Sequence, residues 1–142
     1  MATDAQASVA RADIVSCATL ATSPVVRRDW LRPGTHLDLI GSFTPQIQEV
    51  DPACFEGARV WVDTQEASAK AGDLLRAFEA VALAPSSIAG DLALLCRQGT
   101  VGRGTPEERT VFRPSRRAKT SRLQCSFIAS SPSRNTDPAS AA

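Results

Sequence analysis

Apolar and polar positions along this chain fall into short blocks whose period changes repeatedly. Ala12-Asp13-Ile14-Val15-Ser16-Cys17-Ala18-Thr19 is an apolar, β-branched run entered through an acid, and it reads as a buried strand. The small and polar residues 19–24 read as a loop at that strand's C-terminal end. Arg32-Pro33-Gly34-Thr35 is a turn, since proline fixes φ and glycine accepts a positive φ. His36-Leu37-Asp38-Leu39-Ile40-Gly41 alternates polar and apolar and makes a second strand. Asp51-Pro52 pairs an N-cap with proline at the first helical position, which predicts a helix through Phe55 that stops near Gly57. Arg59-Val60-Trp61-Val62-Asp63 is a third strand with an acid at its end.

Residues 64–71 read as a helix with Thr64 as its cap and Gly72 as its stop, and Leu74, Leu75 and Phe78 continue at helical spacing. Ser86 and Ser87 are expected to cap a helix that carries Ile88, Leu92 and Leu95 and ends at Gly99. Thr110-Val111-Phe112 is a last short strand. Strands alternating with helices point to an α/β layer with a mostly parallel sheet. Three or four strands are few for such a sheet, whose two faces both need cover.

Length and charge narrow this further. At 142 residues one domain fits, and 43% hydrophobic with 22% charged residues allows a core. The net charge of +1 argues against a nucleic-acid or anionic-membrane partner. It averages two unlike parts. Residues 1–112 carry 10 Lys/Arg and 14 Asp/Glu, whereas 113–142 carry 6 Lys/Arg, 1 Asp/Glu and seven serines. The second part is too poor in apolar surface to offset its ordering entropy and is expected to be a disordered basic tail. No apolar run approaches the ~18 residues of a membrane span, and the N-terminus lacks the pattern of a secretory signal. Cys17, Cys54, Cys96 and Cys125 are far apart and the chain has one histidine, so no metal site is expected. Reduced thiols in a cytoplasmic protein are the simplest reading.

Candidate chemistry is sparse. Gly99-Thr100-Val101-Gly102-Arg103-Gly104 follows a helix instead of a strand, so it reads as a solvated turn and not as a phosphate cradle. His36, alone and entering a strand, reads as a hydrogen-bonded structural residue. Asp13, Asp38 and Asp63 lie on or beside strands. Each could face a ligand crevice or simply cap the next turn.

These blocks together resemble the ornithine cyclodeaminase/mu-crystallin family. The resemblance runs through 12–19 with Ser23-Pro24-Val25, through Leu31 to Gly41, through Arg59-Val60-Trp61-Val62-Asp63, and through Gly72-Asp73-Leu74 and Gly90-Asp91-Leu92. It covers about residues 1–112 and implies a partial Rossmann-type NAD(P)-binding sheet, in which this chain is a C-terminal portion. The glycine-rich loop, the ribose-binding acid and the substrate domain of the family are not in it. Thr19 would then sit beside the cofactor, Asp38, Leu39, Ile40, Gly41 and Ser42 would line its nicotinamide end, and the intact protein would be a homodimer.

Cyclodeaminase members carry an acid/base aspartate where this chain has Phe43, and a lysine where it has Ile47. A phenyl ring cannot transfer a proton. The resemblance therefore implies the branch that reduces cyclic imino acids such as Δ1-pyrroline-2-carboxylate with NAD(P)H, ahead of ornithine cyclodeamination or a non-catalytic NADPH-binding role. As it stands the chain is expected to be inactive and to bind NAD(P)H weakly or not at all. After Phe112 the family's long amphipathic helix is replaced by the basic tail. Two readings stay open there: a frameshift product and a genuine basic tail that binds nucleic acid or acidic partners.

Overall fold

The computed structural model describes residues 4–41, 44–97 and 99–115, and the backbone of 124–128. Five parallel strands, β1 (Ile14–Ala18), β2 (His36–Leu39), β3 (Arg59–Val62), β4 (Ile88–Asp91) and β5 (Thr110–Arg113), form one sheet with β6 (Gln124–Ile128). The order is β4-β3-β5-β2-β1-β6, and β6 alone runs antiparallel. The α/β architecture read from the sequence is present.

Alternation divides the sheet into two unlike faces. Val15, Cys17, Leu37, Leu39, Val60, Val62 and Val111 point to one side and are buried. There they join Val9 of α1 (Ala5–Val9), Phe55 and Leu74 in a single cluster. Leu74 belongs to α3 (Gly72–Glu79), which follows the short α2 (Ala67–Lys70). The opposite face carries Ser16, His36, Asp38 and Phe112, which are half-buried, with Trp61 and Thr110, which are buried. It holds a cavity of about 460 Å³ between Trp61, Phe112 and α4 (Leu92–Leu95).

Several elements differ from the sequence reading, each for a visible reason. The helix expected from Ser86 is a 3-10 turn at Pro85–Ser87 followed by β4 and then α4. Ile88 pairs beside Val60 on β3, and Gly90 has φ +153°, outside helical space. Asp91, not a serine, caps α4 by accepting from Leu94 N at 2.8 Å. The spacing of Ile88, Leu92 and Leu95 thus spans a strand and a helix, and its helical period is accidental.

Asp51 does cap the next element, accepting from Ala53 N at 2.9 Å, but that element is a single 3-10 turn, Pro52–Phe55. Gly72 starts α3 instead of stopping a helix. A Cβ there would fall against the carbonyls of Ile47 and Thr44, so close approach of two segments requires the glycine.

The last core strand runs one residue past Phe112, to Arg113. Within the segment expected to be a disordered tail, Gln124–Ile128 lies along β1, pairing Ile14 with Ile128 and Ala18 with Gln124. The free backbone groups of the β1 edge are a template for such pairing. Arg113, Pro114 and Ser115, also within that segment, are placed against the sheet, while the frameshift question and residues 116–123 and 129–142 lie outside the described residues.

Helix α3 ends in a motif that generates a prediction. Ala82 N donates to Ala77 O at 2.9 Å and Val81 N to Phe78 O at 3.1 Å, the paired bonds of a Schellman ending. That ending needs a left-handed residue, and it is Val81, with φ +58° and 89% exposure. A β-branched side chain is strained there and has little packing to lose. Val81→Gly is expected to stabilise the fold by about 1 kcal/mol in urea titration. A loss of stability would contradict this account of the helix end.

Candidate functional site

In an open parallel sheet, ligands bind beyond the C-terminal ends of the strands, where loops leave backbone groups accessible. Here the ends of β1 and β2 are neighbours, and the register continues past them: Ile40 N donates to Cys17 O at 2.7 Å. The chains then stay close. A Cβ on Gly41 would collide with the backbone of Thr19 and with the Glu49 carboxylate, so only glycine fits.

Glu49 is completely buried. Its Oε1 accepts from Thr19 N at 2.5 Å and from the Thr19 hydroxyl at 2.9 Å, and its Oε2 accepts from Gly41 N at 2.8 Å. One carboxylate therefore holds both strand ends. Glu49 is held in turn by its backbone. Its N–H donates to Asp73 Oδ1 at 2.8 Å, as does Val50 N at 3.2 Å, and its carbonyl accepts from Val25 N at 2.8 Å. Asp73, in the first turn of α3, is 1% exposed.

Two buried carboxylates need a countercharge. Arg113, fully buried at the end of β5, faces them. Burial pushes its pKa down, and Asp73 and Glu49, followed by Asp63 and Asp38, oppose that shift. Its Nη1 donates to Leu39 O at 2.9 Å and also reaches the carbonyl of Pro114. The ends of β1, β2 and β5 are thus laced together by Glu49, Asp73 and Arg113.

Of the residues expected to line a cofactor, Thr19 and Gly41 are brought together, with Ile40 beside them. Leu39 lies in the same stretch, but its side chain is in the core and its carbonyl is bound to Arg113. Asp38 is on the other face, accepting from the Ser16 hydroxyl at 3.1 Å, and is not brought to this edge. Ser42 and Phe43 lie outside the described residues. The Thr19 hydroxyl donates inward to Glu49 and accepts from Ala21 N at 3.3 Å, so it contributes shape more than a donor.

The other candidates are structural. Asp13 pairs with Arg32 at 2.7 Å near the surface, and Asp63 caps Thr64 N at 2.7 Å while accepting from Ser115. His36 Nδ1 lies 2.7 Å from the Thr110 hydroxyl. The Cys54 thiol is pushed up to about 12, chiefly by burial, and is inert as a nucleophile. Among the described residues no cluster of His, Cys, Asp and Glu could hold a metal ion.

Sequence reasoning missed Glu49, Asp73 and Arg113. A faint signal existed in the first two, each an acid followed directly by an apolar residue that is now in the core. Arg113 was hidden by its place at the start of a basic run.

Comparison with known proteins identifies the family and the fold. The profile of the ornithine cyclodeaminase/mu-crystallin family matches residues 1–115. The chain belongs to that family. It is 39% identical over 127 residues to a Δ1-pyrroline-2-carboxylate reductase of Paracoccus denitrificans, covering 89% of this chain and 40% of the relative. It is 41% identical to the Arabidopsis thaliana protein SAR DEFICIENT 4, covering 71% of this chain and 31% of that protein.

Among solved structures it resembles the Thermococcus litoralis Δ1-pyrroline-2-carboxylate reductase in complex with NADH and L-proline. The TM-score is 0.72 at 26% identity, over 77% of this chain and 34% of that one. The iminosuccinate reductase of Paracoccus denitrificans with NAD+ gives a TM-score of 0.73 at 26% identity, covering 81% and 35% of the two chains. The chain therefore spans about 40% or less of the length of these relatives.

The pKa of His36 is lowered, first by burial, with Asp38 opposing and Arg103 reinforcing the shift. The unfolded chain then takes up this proton at a higher pH than the folded one, so stability falls as pH drops below about 6.5. His36→Gln removes that titration. Urea midpoints measured from about pH 7 to about pH 5 are expected to fall less in this variant than in the wild type. Parallel slopes would contradict the assignment.

Proposed function

We propose that this chain forms the nicotinamide end of the cofactor crevice in an NAD(P)H-dependent reductase of cyclic imino acids, the substrate type being Δ1-pyrroline-2-carboxylate. The observation that carries the reading is the tied pair of strand ends at Thr19 and Gly41, on a fold shared with a reductase solved with NADH and L-proline.

The residues suit a flat, weakly polar ring. Thr19 and Ile40 are half-buried, Gly41 adds no side chain, and Leu20 presents an apolar side chain 47% exposed directly after Thr19. No glycine-rich phosphate loop occurs among the 142 residues, so this chain's share of the site is the ring end only. When bound, the cofactor supplies a hydride to the carbon of the substrate's C=N bond. This chain's part is to hold Thr19, Ile40 and Gly41 rigid against it.

The imine nitrogen also needs a proton. Phe43 has none to give, so water or another group must deliver it. The same residue removes the acid/base that ornithine cyclodeamination would require, and this places imine reduction first. The family's homodimer is the expected assembly, and no described helix is long and apolar enough to cross a membrane.

A fusion of this chain to the upstream segment of the Paracoccus denitrificans reductase tests the proposal. Oxidation of NADH or NADPH on addition of Δ1-pyrroline-2-carboxylate, with formation of proline, is expected. Ammonia release from ornithine would instead overturn the role given to Phe43.

A further inference from the structure

The crevice needs two strand ends at a fixed spacing. Among the described residues the last backbone bond between them is Ile40 N to Cys17 O, and the next amide, Gly41 N, donates to the Glu49 side chain. We propose that Glu49 is a positioning residue whose carboxylate sets the separation of Thr19 and Gly41 and couples it to α3 through Asp73. This rests on the reading above only in taking the crevice for a cofactor site.

Three features support it. Both carboxylate oxygens are committed, one to each strand end, so a shift of either end breaks a bond to a group shut off from bulk solvent. The carboxylate cannot retreat, because the backbone on both sides of it is fixed by Asp73, Val25 and Val26. The strand ends cannot close further, because there is no free space around the Gly41 α-carbon. Glu49 is thus a spacer as well as a tie.

Glutamine at this position is a sharp probe. It has one accepting oxygen and one donating nitrogen, so it faces at least one of the two strand ends with donor against donor. In amide-exchange NMR of the full 142-residue chain, Glu49→Gln is expected to speed exchange at Thr19, Gly41 or both by about tenfold. Val15 and Val111, in the same sheet, should be unchanged. Unchanged exchange at both Thr19 and Gly41, or an equal rise at all four amides, would overturn the positioning role.

Should Glu49→Gln fail to fold, Thr19→Val removes a single donor to Oε1. It is expected to raise Gly41 exchange severalfold through the shared carboxylate, and an unaltered Gly41 would overturn the coupling. NADH titration of the fusion to the upstream reductase segment separates this proposal from the functional one. Localised exchange changes in the chain, with no NADH binding by the fusion, would uphold the spacer and count against the cofactor site. An unchanged NADH affinity and unchanged exchange in Glu49→Gln would count against the spacer alone.

Discussion

A carboxylate shut off from bulk solvent must find donors inside the protein. Glu49 finds three, and they come from the ends of two neighbouring strands. Most of the geometry at this edge depends on that one constraint. It fixes Thr19 against Gly41 and demands glycine at position 41. It also draws in Asp73 and Arg113 as the remainder of a charge network with little solvent contact. Removing one member of such a network leaves its partners unsatisfied, which is costlier than any single bond in it.

The network also explains how a short α/β segment holds a precise edge. Its apolar core lies on one face of the sheet, beneath α1, α3 and the Pro52–Phe55 turn. The other face carries a cavity and polar side chains, with α4 over it among the described residues. Packing alone would position the strands from one side only. Glu49 ties β1 to β2, and Arg113 ties β5 to β2 through the Leu39 carbonyl. The strand ends are therefore held at the edge itself.

Much of this was legible in the sequence, and the failures are physical. Strands β1, β3 and β5 were visible as short runs with β-branched residues, and β2 through its polar and apolar alternation. The strand at Ile88–Asp91 was not, because Ile88, Leu92 and Leu95 mimic a helix across a strand–helix junction. Gly72 read as a stop because close backbone approach leaves no local trace. Thr19 and Gly41 were identified through a resemblance that marks residues at strand ends. Their tie was not, since it joins positions 19, 41, 49, 73 and 113, whose neighbourhood exists only once the sheet is folded. Asp38, implied at the nicotinamide end by the same resemblance, has its side chain on the opposite face, because alternation puts every second residue there.

Whether NADH rests on the edge formed by Thr19 and Gly41 decides whether this edge is a cofactor site. Amide chemical-shift mapping with increasing NADH locates it, even for weak binding. The account predicts perturbations centred on Thr19, Leu20, Ile40 and Gly41. Perturbations centred instead on His36, Trp61 and Phe112, around the cavity on the opposite face, would contradict it.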